Sequence, residues 1–128
     1  MGQANGGEDA NMKDMTIIRQ DPNNAVVYKL NVDGSQELVT GQMTYERCME
    51  YVRLNSRIVK PYKIAIFANR KDAKRHLSRV IYCTDNDEAI EYYTQKFLDT
   101  TNYEWSQLLT GDWRLIAERR QDGVIRLY

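Results

Sequence analysis

The chain holds one histidine and two cysteines, and their positions limit the chemistry open to it. His76 sits in Lys74-Arg75-His76 and is the one imidazole that could act as a base. A nucleophilic pair would need Cys48 or Cys83 beside it. Cys83, however, closes the strand-like run Arg79–Thr84 and so falls at the far end of the same hairpin. Without close Cys–Cys or His–His spacing, the usual zinc sets cannot assemble. Asp85, Asp87, Glu88 and Glu91 form one carboxylate cluster, the type of group that holds Mg²⁺ or works as an acid/base pair. Acids also gather at helix starts to cap free N–H groups and oppose the helix dipole, which is the simpler role here. Neither a glycine-rich phosphate loop nor G-x-S-x-G occurs. These residues assign no catalytic group, metal or cofactor, and the expectation is a protein that is not an enzyme.

Charge is more informative. Formal net charge is zero, yet residues 57–79 carry Arg57, Lys60, Lys63, Arg70, Lys71, Lys74, Arg75 and Arg79 against Asp72 alone. Eight bases against one acid leave +7. Residues 80–113 hold seven acids against Lys96, leaving −6. Such segregation suits a polyanion or an acidic partner surface. Nine tyrosines add a second feature, and Tyr62 and Tyr82 flank the basic connector, where rings can stack unpaired bases. The same rings serve equally well in sheet packing and protein interfaces. The candidate contact residues are therefore Tyr62, Lys63, Arg70, Lys71, Lys74, Arg75, His76, Arg79 and Tyr82.

At 128 residues the chain suits one domain with a real core. Met1 to Asp14 is polar and glycine-rich and reads as a disordered tail, with a single α+β domain over 15–128. No apolar run is long enough to span a bilayer, and the first residues lack the apolar segment of a secretory signal. Two thiols among apolar neighbours fit a reducing compartment, so the expected location is cytoplasmic, the host cell included if the protein is viral.

Asp21-Pro22-Asn23-Asn24 signals a turn. Val26, Tyr28, Leu30 and Val32 alternate as on a half-buried strand, and a three-residue loop at Asp33-Gly34-Ser35 would set Leu38 opposite Leu30. Thr44 caps a helix carrying Tyr45, Cys48, Met49 and Val52, which fades near Asn55 to Ile58, with Pro61 as a limit. Tyr62–Ala68 and Arg79–Thr84 are strands joined by an exposed basic connector, in which Asp72–Leu77 has room for one helical turn. A second helix starts at Asp85 or Asn86, with Glu88 placed as in a capping box. It either breaks at Thr100-Thr101-Asn102 or runs on through Trp105, Leu108 and Leu109 to Gly111. Trp113–Arg120 and Val124–Tyr128 form a last hairpin around Gln121-Asp122-Gly123, pairing Glu118 with Arg126 and Ala117 with Leu127. The expected fold is α+β: a mostly antiparallel sheet of three hairpins with two amphipathic helices on one face, in ββα-ββα-ββ order.

Asp87–Trp105 resembles the helical part of the WGR domain, a nucleic-acid-associated module, through Ala89-Ile90, Phe97, Thr101 and Trp105. Thr100 stands where that family has lysine, the asparagine is displaced to Asn102, and the Trp-Gly-Arg signature is absent from the preceding strands. An echo this short does not assign the family.

The functional expectation is a small binding protein. Nucleic acid taken on the 57–79 segment is the sharpest form of it, although a pI of about 6.6 lies below the usual footprint of a dedicated binder. The alternative is a protein-interaction or assembly role, such as a viral or phage accessory protein, inhibitor or structural subunit. That role would use segregated charge and hairpin edges such as Val124–Tyr128, and it includes a homo-oligomer.

Overall fold

Strand pairing begins earlier than composition implies. The computed structural model describes residues 11–67, 74–100 and 105–128. Met12–Lys13 (β1) pairs with Val59 and Ile58, and Asp14 just after it is buried. The polar run assigned to a tail therefore gives up its last residues to the domain.

The chain is of mixed α+β class, with mostly antiparallel sheets and two helices. Met15–Asp21 (β2), Asn24–Leu30 (β3) and Gln36–Leu38 (β4) make a three-stranded sheet, and Tyr45–Asn55 (α1) packs on β2 and β3. Pro22 and Asn23 turn between β2 and β3, with Asp21 Oδ1 accepting the Asn23 N–H at 2.9 Å. The face turned to α1 is carried by Ala25 and Val27, not by Val26, Tyr28 and Leu30. Ala25 also bridges Met43 through two backbone hydrogen bonds of 2.7 and 2.9 Å, which draws the helix start against the sheet.

The β3–β4 register differs from the expected one by two residues: Leu38 faces Tyr28, not Leu30. Asn31 and Ser35 close the loop instead, with the Asn31 N–H donating to the Ser35 carbonyl at 2.8 Å and Gly34 at φ +90°. Asp33 Oδ1 accepts the Ser35 N–H inside that loop. Local side-chain bonding thus overrides the apolar match.

Thr44 caps α1 through the Arg47 N–H, and Cys48 and Val52 are its buried residues. Ile58–Phe67 (β5) follows and passes straight through Pro61. Proline is tolerated because the N–H of its cross-strand neighbour Tyr82 donates outward to the Val32 carbonyl at 2.9 Å. The Pro61–Tyr82 pair therefore exchanges no backbone hydrogen bonds, and the missing proline donor costs that ladder nothing.

Arg75–Cys83 (β6) pairs with the other edge of β5. Arg75, His76 and Leu77 are strand residues, so the expected helical turn is absent there, while Ala68 to Ala73 lie outside the described residues. Asn86–Tyr92 (α2) is capped by Asp85, whose side chain accepts the Glu88 N–H at 2.9 Å. Glu88 reciprocates one residue upstream of the expected box, accepting the Thr84 N–H at 2.9 Å. A π-helical turn, Tyr93–Phe97, and a 3₁₀ turn, Leu98–Thr100, end the helix.

Ser106–Thr110 (β7) is a fully buried strand, not the continuation of the second helix to Gly111. It lies between β5 and Leu115–Arg119 (β8), and Ile125–Leu127 (β9) completes the row β9-β8-β7-β5-β6, with β1 beside β5. The last hairpin keeps its expected register, Glu118 opposite Arg126 and Ala117 opposite Leu127.

Two cores result. Tyr62, Ile64, Ile81, Leu108 and Ile116 pack with Ala89, Tyr93 and Phe97 of the second helical segment, while Cys48 and Val52 pack with Ala25 and Val27. Burial of each large aliphatic side chain contributes roughly 1.5–3 kcal/mol. The helices thus cover one sheet each, not one face of a single sheet, and the strand order is richer than ββα-ββα-ββ. Among the described residues, no helix is long and apolar enough to cross a membrane.

Candidate functional site

Side-chain alternation divides the basic segment. Along β5, Tyr62 and Ile64 point to α2, and Lys63, Ala65 and Phe67 to the opposite, outer face. On β6 the ladder carries a bulge: Arg79 pairs Ile64 but Leu77 pairs Ala65, leaving Ser78 over. Arg79 consequently lies on the helix side, where its guanidinium donates to Tyr92 Oη at 2.7 Å and sits 5.9 Å from the Phe97 ring centre. Arg75 and Leu77 are turned to the outer face.

The expected contact residues therefore do not form one surface. Tyr62 is fully buried and its hydroxyl donates to Asn86 Oδ1 at 2.8 Å, so it cannot stack a ligand. Lys63 is buried rather than presented. His76, opposite Ile66, is exposed on the helix side with Arg79, while Lys74 is exposed beside them in sequence. Tyr82 is half-buried, with Cε2 3.7 Å from where a Cβ on Gly34 would stand. Arg70 and Lys71 lie outside the described residues. Arg57 is neutralised internally, bonding Glu88 at 2.9 Å and Asp14 at 3.5 Å.

The nucleophile reading also fails on geometry. Seven steps along the strand take His76 to Cys83, roughly 23 Å at about 3.3 Å each. Both cysteines are free and fully buried, in different cores. Burial, aided by the charge of Glu88, pushes the Cys83 thiol up to about 12, and burial raises that of Cys48. Asp85 and Glu88 are occupied in capping, and among the described residues no cluster of three or more His, Cys, Asp or Glu could hold a metal.

A different arrangement occupies the outer face, against which no helix packs among the described residues. The Lys63 ammonium lies 3.9 Å from the centre of the Trp113 ring, and the Arg75 guanidinium lies 5.6 Å from it. Arg75 stands directly across the ladder from Phe67. Phe67 stacks on Trp105 at 3.8 Å and 15°, and Arg120 lies 4.8 Å from the Trp105 ring centre. Cations and aromatic rings thus alternate across the sheet. Beneath the row, Glu118 is buried and accepts from Trp105 Nε1, Gln107 Nε2 and Tyr128 Oη. Burial raises its pKa, but those three bonds together with Arg120 outweigh it and hold the carboxyl below the usual range.

Trp113 is the strained member. Thr110 and Arg114 bracket a three-residue loop, Gly111-Asp112-Trp113, in which the Trp113 N–H donates to the Thr110 carbonyl at 3.0 Å. The last hairpin repeats this turn with Gln121-Asp122-Gly123, the Gly123 N–H donating to the Arg120 carbonyl at 2.9 Å. Gly123 has φ +77° and Trp113 has φ +70°. The third position calls for the left-handed conformation that glycine adopts freely, at roughly 1–2 kcal/mol for a side-chain-bearing residue. An indole standing 42% exposed where glycine fits best is a local cost of the kind that collects at binding sites.

Residue composition alone placed Trp113 at the head of a strand. The signal that could have corrected this is the repeat itself, Asp-Trp followed ten residues later by Asp-Gly at matching places in consecutive hairpins. Comparison with known protein families, curated proteins and solved structures finds no match to the chain.

Proposed function

We propose that this is a non-enzymatic binding protein whose ligand is nucleic acid, taken on the outer face of the larger sheet. The observation that carries this reading is Trp113, kept in a left-handed turn with Lys63 beneath it and Arg75 beside it. Alternating rings and cations offer stacking faces and phosphate partners together. The basic segment enters the reading through Lys63 and Arg75, not as a continuous patch. Both thiols are buried and free, which supports a reducing, intracellular setting.

Titration of labelled single- and double-stranded oligonucleotides at two salt concentrations tests the reading. Binding that weakens as salt rises is expected. Failure of both forms to bind at low salt refutes it.

A second reading rests on β9. This strand ends the sheet, and Ile125, Leu127 and Tyr128 are exposed along it, with Leu127 62% exposed. Arg126, the one charge on that strand, is tied to Asp122 at 2.8 Å. An apolar edge of this kind suits pairing with a partner strand, including that of another copy. Sedimentation over a range of concentrations checks it, and a strictly monomeric chain that captures no partner removes it.

A further inference from the structure

Resting on the nucleic-acid reading, we infer that the ligand is single-stranded and that the Trp113 indole is the surface on which one of its bases stacks. Lys63 is buried under the indole, leaving Arg75 and Arg120 as the cations of the row that a phosphate meets at the surface. Glu118 lies 3.9 Å from Arg120 and offsets part of even that charge. Among the described residues of the row, two exposed arginines give too little electrostatic attraction to hold a duplex, whose bases are hidden and whose accessible surface is mainly phosphate.

A single strand offers base faces as well, and stacking is insensitive to net charge. Trp113 is the ring best placed to use it. Trp105 is already covered, with Phe67 at 3.8 Å and Arg120 at 4.8 Å. Trp113 has Lys63 close against it at 3.9 Å, while Arg75 stands farther off at 5.6 Å on the arm of an exposed strand. A base entering beside Trp113 can displace Arg75 toward the adjoining phosphate, so that one residue is exchanged from ring to backbone without moving the sheet. The left-handed turn serves this by holding the indole over Lys63 with part of the ring exposed. A glycine there, as at position 123, would leave the face flat.

Fluorescence anisotropy of a labelled twelve-nucleotide thymidine strand, the same strand with abasic sites, and a twelve-base-pair duplex tests the inference. The proteins are the full chain, Trp113→Asn and Trp113→Phe. Asparagine tolerates the left-handed conformation, so its variant keeps the turn, and a urea melt verifies this. The single strand should bind at least ten-fold more tightly than the duplex. Trp113→Asn should reduce single-strand affinity about ten-fold or more, Trp113→Phe should restore most of it, and the abasic strand should bind like the Asn variant.

Equal binding of the thymidine strand to the full chain and to a folded Trp113→Asn variant overturns the inference while leaving the nucleic-acid reading standing. So does an abasic strand bound as tightly as the intact one, or a duplex bound as tightly as the single strand. Binding of no nucleic acid in any arm removes the broader reading, and this inference with it.

Discussion

Asp14 and Arg57 clasp each other through three contacts although 43 residues separate them. The Asp14 N–H donates to the Arg57 carbonyl at 3.0 Å, the Arg57 N–H donates to Asp14 Oδ1 at 2.7 Å, and Arg57 Nε reaches Oδ2 at 3.5 Å. The Asp14 carbonyl meanwhile accepts the Leu30 N–H at 2.7 Å. One buried residue thus ties the smaller sheet to the strand that centres the larger one.

Replacing that residue tests the joint. Asp14→Ala strands the part-buried Arg57 N–H without its acceptor, a loss of about 1 kcal/mol. Asp14→Asn keeps an acceptor and should lose less. Urea midpoints at unchanged slope measure both, and an alanine variant as stable as the parent would show that the clasp contributes nothing.

Glu118 makes stability depend on pH in a defined window. Its folded-state pKa lies below the unfolded reference of 4.5, so its network stabilises the fold above that value. The contribution drains away as pH falls from 4.5 through the lower folded-state value. Glu118→Gln should flatten the urea midpoint over this range relative to the parent. It should also weaken the fold at pH 7, because its amide would face three donors with one acceptor oxygen. A parallel pH dependence in both proteins would contradict the assignment.

The two left-handed positions respond to substitution for different reasons. Trp113→Gly relieves backbone strain while losing cation–ring contacts of roughly 0.5–2 kcal/mol, so the net change should stay within about 1 kcal/mol. That is far from the roughly 3–5 kcal/mol that truncation of a core tryptophan costs. Gly123→Ala meets no atom within 4 Å, so its expected loss of about 1 kcal/mol is purely conformational. Thermal melts of both variants compare them directly. A Trp113→Gly loss of core-tryptophan size would mean that the indole is a structural element.

Thiol chemistry provides a further check. Cys83, with its pKa pushed up to about 12, and Cys48, also raised, have little thiolate at pH 8 and no exposed surface. A chromogenic disulfide reagent should label neither within minutes in buffer, and both at once in denaturant. Rapid labelling of the native chain would place a thiol at the surface.

Local signals in the sequence were legible. Thr44 and Asp85 cap helices because their side chains bond the backbone next to them, and Gln121-Asp122-Gly123 sets its register through its own turn. What escaped depends on partners distant in the chain. Ser106–Thr110 is covered on both faces, so no alternation marks it as a strand, and Leu108 and Leu109 continue the apolar spacing of the preceding helix. Met12 and Lys13 are strand only because β5 offers them an edge. The candidate site escaped for a third reason. Arg75 and Arg79 cluster in sequence but are separated by the sheet, while Trp113 and Lys63 are fifty residues apart and touch.

The Ser78 bulge also determines which changes of length the hairpin can absorb. On an unbroken strand Arg75, Leu77, Arg79 and Ile81 would share a face, and the surplus residue is what turns the first two outward. Deleting Ser78 itself would straighten the ladder and leave Arg75 beside Trp113. Adding or removing one residue between Arg75 and Leu77 would carry the arginine through the plane of the sheet to the helix side. Along this arm a chain may shorten at one position without consequence for its outer face, whereas a shift of one residue a few positions earlier would strip that face of a cation.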